Sequence, residues 1–131
     1  MSNPRDLTGA LLNGKKGLSH RFQVAPELHA LPSPISRCAQ VRDSPAYHFQ
    51  GKGRTDHTYC VFQYTLSGTG MFEAHGVQHP VSPGKGFLVN VQDAAYQYYY
   101  PKNAREPWCF VYLQMAGDAT HMMVGEMVRR F

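Results

Sequence analysis

Aromatic rings and side-chain amides, rather than nucleophiles or metal donors, are the chemically expressive groups of this 131-residue chain. Between Tyr59 and Thr120 they crowd three runs: Tyr59 to Leu66, Tyr96 to Tyr100, and Trp108 to Met115. Rings that stack and amides that hydrogen-bond make a surface for recognition. The seven histidines are placed differently. His57 has no histidine two residues on, His75 and His79 flank a glycine turn, and His121 lies far downstream. A metal centre needs about three or four donors brought to one point, so His75 and His79 are expected to be solvated turn residues. No nucleophile sits in a recognisable turn, and Gly84-Lys85-Gly86 leads into a strand rather than the helix a phosphate loop requires. The expected product is a pocket walled by aromatic and polar groups. No metal, cofactor or catalytic residue is expected.

Such side chains need strands to hold them. Tyr59 to Leu66 sets Tyr59, Val61, Gln63 and Thr65 on one face and Cys60, Phe62, Tyr64 and Leu66 on the other. Trp108 to Met115 alternates likewise, with Trp108, Phe110, Tyr112 and Gln114 opposite Cys109, Val111, Leu113 and Met115. The mixed aromatic and polar face of that strand suits a ligand. Turns at Ser67-Gly68-Thr69-Gly70, His75-Gly76 and Pro83-Gly84-Lys85-Gly86 separate further strands at Met71 to Ala74, Val77 to Val81, Phe87 to Gln92 and Tyr96 to Tyr100. Read in order, they form an antiparallel meander. Upstream, Ile35 to Arg42 alternates imperfectly, Tyr47 to Gln50 makes a short strand, and His20 to Ala25 an edge strand. Pro26, Pro32 and Pro34 exclude a helix interior and a central strand between them. Past Gly117, Asp118 is placed to cap a helix on which Ala119, Met122, Met123, Glu126, Met127 and Arg130 recur at three- and four-residue spacing.

The length suits one domain with a single core. Residues 1–34 are expected to be a flexible arm and Pro-rich segment, 35–116 the barrel, and 117–131 the start of a helix. Because that helix has hardly begun at Phe131, the chain is expected to be one module of a longer protein. A composition of 43% hydrophobic and 17% charged residues excludes a wholly disordered chain. The net charge of +4 comes from 13 Lys and Arg scattered along the sequence rather than gathered into a basic stripe, which argues against direct nucleic-acid contact. Cys38, Cys60 and Cys109 lack Cys-x-x-Cys spacing, and packing is their expected role, with a Cys60–Cys109 bridge left open. No apolar run has signal-peptide length or approaches the roughly 18 residues of a membrane span. A soluble, reducing, cytoplasmic setting without membrane contact is expected.

From about Arg54 to Ala119 the order of motifs resembles the N-terminal sensing domain of AraC/XylS-type transcriptional regulators. The resemblance rests on Ser67-Gly68-Thr69-Gly70, Pro83-Gly84, Tyr96-Gln97-Tyr98, the Trp108 to Met115 strand and the Gly117-Asp118-Ala119 step into a helix. Tyr96 stands where the family commonly has a histidine. The resemblance implies a mostly β, cupin-like jelly-roll fold, an antiparallel double-sheet barrel followed by the start of a C-terminal helix. It also implies a small-molecule effector, a sugar or small organic acid, a homodimer paired through the helix, and DNA contact only through a helix-turn-helix domain absent from these residues. The alternative is a stand-alone cupin enzyme or binding protein acting on a sugar or small acid. Cupin enzymes generally use a His-x-His pair, a following Glu and a later His, which this sequence lacks.

By the same resemblance Arg54 stands where the family often has an arginine, placed to pair with an anionic or hydroxylated ligand. Tyr96, Tyr98, Phe110 and Tyr112 would wall the cavity and Gln63 would anchor a polar group, whereas Trp108 is expected to pack at the barrel mouth. Met122, Met123 and Met127 form the candidate dimer face. Met123→Asp is expected to leave the barrel folded and weaken self-association. Sedimentation of the variant at unchanged mass would remove the assignment.

Overall fold

A strand with one dry face must alternate buried and exposed side chains, and a barrel must also find each strand two neighbours. The computed structural model describes residues 19–54 and 58–131. Among them the strands are β1 (Ser19–Arg21), β2 (Ser33–Arg42), β3 (His48–Gln50), β4 (Cys60–Ser67), β5 (Gly70–Ala74), β6 (Val77–Val81), β7 (Gly86–Asn90), β8 (Tyr96–Tyr99) and β9 (Trp108–Ala116). Short 3-10 turns occupy Pro26–Leu28 and Gly51–Gly53, and helix α1 spans Asp118–Arg130. The expected arm therefore includes β1, which pairs with β2, while residues 1–18 lie outside the described ones.

The first sheet runs β1-β2-β9-β4-β7 and the second β3-β8-β5-β6. Only β1–β2 and β5–β6 are neighbours in both chain and sheet; every other connection crosses from one sheet to the other. That is the wrap of a double-sheet jelly roll, and it corrects the expected meander. Glycine turns mark where the chain reverses, but most of those reversals change sheet instead of forming a hairpin. The one tight hairpin in the second sheet has His75 and Gly76 at φ 51° and 77° between the paired Ala74 and Val77, which is the geometry of a two-residue primed turn.

Alternation decides which side of each strand is dry. In β4, Val61, Gln63 and Thr65 are buried while Phe62 and Tyr64 are exposed. In β2 a register shift between Pro34 and Ser36 turns Ser36 and Cys38 inward, so the face of Ile35, Arg37, Ala39 and Val41 is not the buried one. Helix α1 begins at Gly117, whose φ of 111° and close approach to the Leu31 carbonyl admit no side chain. Asp118, expected to be the cap, is instead in the first turn, where its charge faces the positive end of the helix dipole. Thr120 and Val124 are the buried residues of the helix, whereas Met122 and Met123 are 76% and 60% exposed.

Trp108 is fully buried between the sheets rather than at the mouth. Its indole Nε1 donates to Thr65 Oγ1 at 2.9 Å, and that hydroxyl donates to the Val81 carbonyl of the second sheet at 3.1 Å. Gly70 of β5 lies flat on the indole, where a Cβ would come within 2.2 Å of the ring. Thr65→Val keeps the shape but leaves the indole N–H and the Val81 carbonyl without this partner. It is expected to destabilise the fold by about 1–3 kcal/mol, read as a lowered denaturation midpoint at unchanged m-value.

Candidate functional site

The jelly roll turns the inner faces of β4 and β9 toward the inner faces of β8 and β5. Gln63 sits mid-strand in β4, directly opposite Tyr112 of β9 and Phe87 of β7. It is 1% exposed, and among the described residues its Nε2 has no hydrogen-bond partner. An amide donor left unsatisfied in a dry interior costs about 1–3 kcal/mol, so its retention calls for an acceptor. Around it, Phe110 is fully buried, and Tyr96 and Tyr98 lie stacked at 6.0 Å between ring centroids. Phe87 packs on Phe72 at 4.8 Å and on Tyr98 at 4.9 Å, bringing the two sheets together.

Arg54 follows the Gly51–Gly53 turn and reaches the same space from its rim. Its Nη1 donates to the Tyr98 hydroxyl at 2.9 Å and its Nη2 to the Tyr59 hydroxyl at 2.8 Å. Its guanidinium also lies 4.9 Å over the Phe49 ring, a cation–π contact. Burial pushes the Tyr98 phenol up, and the Arg54 charge draws it part of the way back. Burial, with the Cys38 thiol beside it, raises Tyr112 to about 12. These phenols are therefore neutral hydroxyl groups at physiological pH. The site offers ring faces, hydroxyls, one amide donor and one rim cation, groups suited to binding an oxygen-bearing organic molecule.

Of the six residues expected at the pocket, Gln63, Tyr96, Tyr98 and Phe110 are buried, Tyr112 is half-buried and Arg54 bonds the Tyr98 hydroxyl. Their roles separate on close inspection. The Tyr96 hydroxyl donates to the Val91 carbonyl at 2.8 Å, so that ring is tied to the scaffold. Two rim residues, Tyr47 and Tyr59, were not among the expected site residues: Tyr59 shares the alternating face of Gln63 but precedes the observed strand Cys60–Ser67, and Tyr47 opens only a short expected strand. The only sequence signal for Tyr47 was an aromatic two residues after Pro45 at a strand start.

Outside the barrel, a hollow of about 510 Å³ lies against His48, Gln97 and Tyr99. Four of its polar side chains are paired with one another, His48 Nε2 with Gln97 Oε1 at 2.8 Å and Gln78 Nε2 donating to the Tyr99 hydroxyl at 3.0 Å. The unsatisfied donor is inside. A further polar cluster joins α1 to the barrel wall. His121 Nε2 lies 2.7 Å from the Thr58 carbonyl and its Nδ1 3.1 Å from Asn90 Oδ1, and the Cys60 thiol donates to that same oxygen at 2.8 Å. Burial pushes the Cys60 thiol up to about 11, which makes it a packing group rather than a nucleophile. Cys38, Cys60 and Cys109 are all free thiols. Among the described residues no group of three His, Cys, Asp or Glu could hold a metal ion; His57, weighed above, lies outside them. Among the same residues no helix is long and apolar enough to cross a membrane.

The sequence model of the AraC-like ligand binding domain matches residues 34–126, well over half of the chain. Among curated proteins none matches. The structure of a protein from Neisseria meningitidis is similar at a TM-score of 0.52 and 8% identity, over 88% of this chain and 99% of that one. The cupin domain of an XRE family transcriptional regulator from Enterobacter cloacae gives a TM-score of 0.47 at 12% identity, covering 76% of this chain and 96% of that one. A predicted oxalate decarboxylase from Thermotoga maritima gives 0.45 at 14% identity, covering 75% and 78%. At such identities, likeness speaks to fold alone.

Gln63→Leu replaces the unsatisfied amide with an apolar side chain of similar reach. The unliganded variant is expected to be more stable than the wild type by about 1 kcal/mol, seen as a raised midpoint in equilibrium denaturation.

Proposed function

This chain belongs to the AraC-like ligand binding domain family, and on that premise we propose that it is the effector-sensing and dimerisation domain of an AraC-type transcriptional regulator. The barrel interior takes a small hydroxylated or acidic molecule, with Gln63 and Arg54 as polar anchors and Tyr98, Phe110 and Tyr112 as walls. The observation that carries this reading is the Gln63 amide, buried with no hydrogen bond to its Nε2 among the described residues. A scaffold keeps such a group where a ligand completes it.

Effector binding biases the position of the helix and rim, and so the presentation of an attached helix-turn-helix domain that contacts DNA. The exposed Met122, Met123 and Met127 supply the surface for a second copy. The three free thiols suit the reducing cytoplasm in which such a regulator works. On this reading residues 1–34 are an arm and Pro-rich segment that docks through β1 on β2, residues 35–116 the barrel and 117–131 the start of the dimerisation helix.

A thermal-shift screen of the purified chain against sugars, aromatic and aliphatic acids, and divalent metals with and without chelator tests the reading. One organic class is expected to stabilise the protein without metal and to lose that effect in Gln63→Leu. Stabilisation by metal alone, reversed by chelator, would replace the sensor with the stand-alone cupin enzyme.

A further inference from the structure

The space beside the Gln63 amide is occupied by a side chain that is not part of the long strands. Tyr47 precedes the three-residue strand β3 and projects its ring into the barrel. The ring centroid lies 5.6 Å from Phe110, 5.9 Å from Trp108 in an edge contact, 5.2 Å from Phe49 and 6.2 Å from Tyr98. The Arg42 guanidinium covers its outer face at 4.9 Å, and its phenol stands beside the Gln63 amide without a hydrogen bond to Nε2. Ring, hydroxyl and cation thus outline a phenol: aromatic walls around, an amide at the polar end, a positive charge over the face.

The attachment of Tyr47 is slight by comparison with its neighbours. Trp108 and Phe110 stand in β9, which is paired on both sides, whereas β3 is an edge strand paired only with β8 over three residues. The Tyr47 backbone is held by Tyr47 N–H to the Ser44 carbonyl at 3.0 Å and by Tyr100 N–H to the Tyr47 carbonyl at 3.0 Å. Residues 43–46 before it are exposed. Among the described residues no backbone carbonyl ties its hydroxyl in the way Val91 ties that of Tyr96.

We propose that Tyr47 is the barrel's own occupant, holding the place of a hydroxylated aromatic effector that enters by displacing it. The proposal rests on the reading of the interior as the effector site and names the chemical class that site takes. A ligand of that shape remakes each contact Tyr47 gives up, which a sugar ring, with hydroxyls all around, does not. Occupation by Tyr47 lowers apparent affinity by the fraction of time the place is open.

The test titrates p-cresol, the tyrosine side chain as a free molecule, and toluene into the full chain, with folding of each variant checked by circular dichroism. Tyr47→Ala is expected to bind p-cresol at least tenfold more tightly than the wild type and toluene at least tenfold more weakly than p-cresol. Adding Gln63→Leu is expected to erase the difference between the two. In the wild type, emission from Trp108, the chain's single tryptophan, is expected to shift with p-cresol as Tyr47 leaves its edge. If Tyr47→Ala does not fold, Tyr47→Leu takes its place with the same expectations. Equal p-cresol affinity in wild type and variant, toluene matching p-cresol, or a folded variant that takes neither overturns the proposal. A sugar bound through Gln63 and indifferent to Tyr47 overturns it while leaving the sensor reading intact. Failure of any small molecule to enter either protein overturns both.

Discussion

One buried relay governs how the two sheets meet: the indole of Trp108 donates to Thr65, and Thr65 donates to the carbonyl of Val81 across the interior. A β-sandwich has no backbone hydrogen bonds between its layers, so packing and a few such side-chain links set their spacing. Gly70 belongs to the same joint, because any side chain there would strike the indole. With that spacing fixed, Phe72 reaches Phe87 and Tyr98 reaches Phe87, and the inner wall becomes a continuous run of aromatic contacts.

The joint adjoins the candidate site, Tyr47 lying 5.9 Å and Phe110 4.7 Å from the Trp108 ring, and the elements around it differ in how firmly they are held. Gln63, Phe110 and Tyr112 stand on strands paired on both sides. Tyr47, Phe49 and Arg54 stand on or beside the short edge strand β3, their rings exchanging cation–π contacts with Arg42 and Arg54. Edge elements with few pairings open at lower free energy than central strands. A rigid floor with a looser rim is what a pocket needs if it is to admit a ligand and still orient it.

The helix is joined to this rim through a short path. Arg54 bonds the Tyr59 hydroxyl, Thr58 precedes Tyr59 in the chain, and the Thr58 carbonyl faces His121 of α1. On its other nitrogen His121 meets Asn90, the last residue of β7. The exposed methionines Met122, Met123 and Met127 are on the same helix, within a few residues of that path.

Much of this was legible in the residues themselves. Period-2 alternation in Tyr59 to Leu66 and Trp108 to Met115 separates inward from outward side chains, because a pleated strand leaves no other arrangement. Glycine turns mark the strand ends, and the order of motifs indicates the family. Alternation does not say which strand lies beside which, and there the meander expected from the turns gave way to a jelly roll whose pairings join residues far apart in sequence. The same limit hid the depth of Trp108, whose partner Thr65 is 43 positions away, and the inward turn of Ser36, set by a register shift. Tyr47 was invisible for a related reason: a single aromatic before a short edge strand has no periodicity to reveal its direction. The sequence by itself determined which faces are dry and where the chain turns, since both follow from local backbone geometry. Only the tertiary structure decided that Gln63 is left without a partner and that Tyr47 fills the space beside it, since both facts depend on what packs across the barrel.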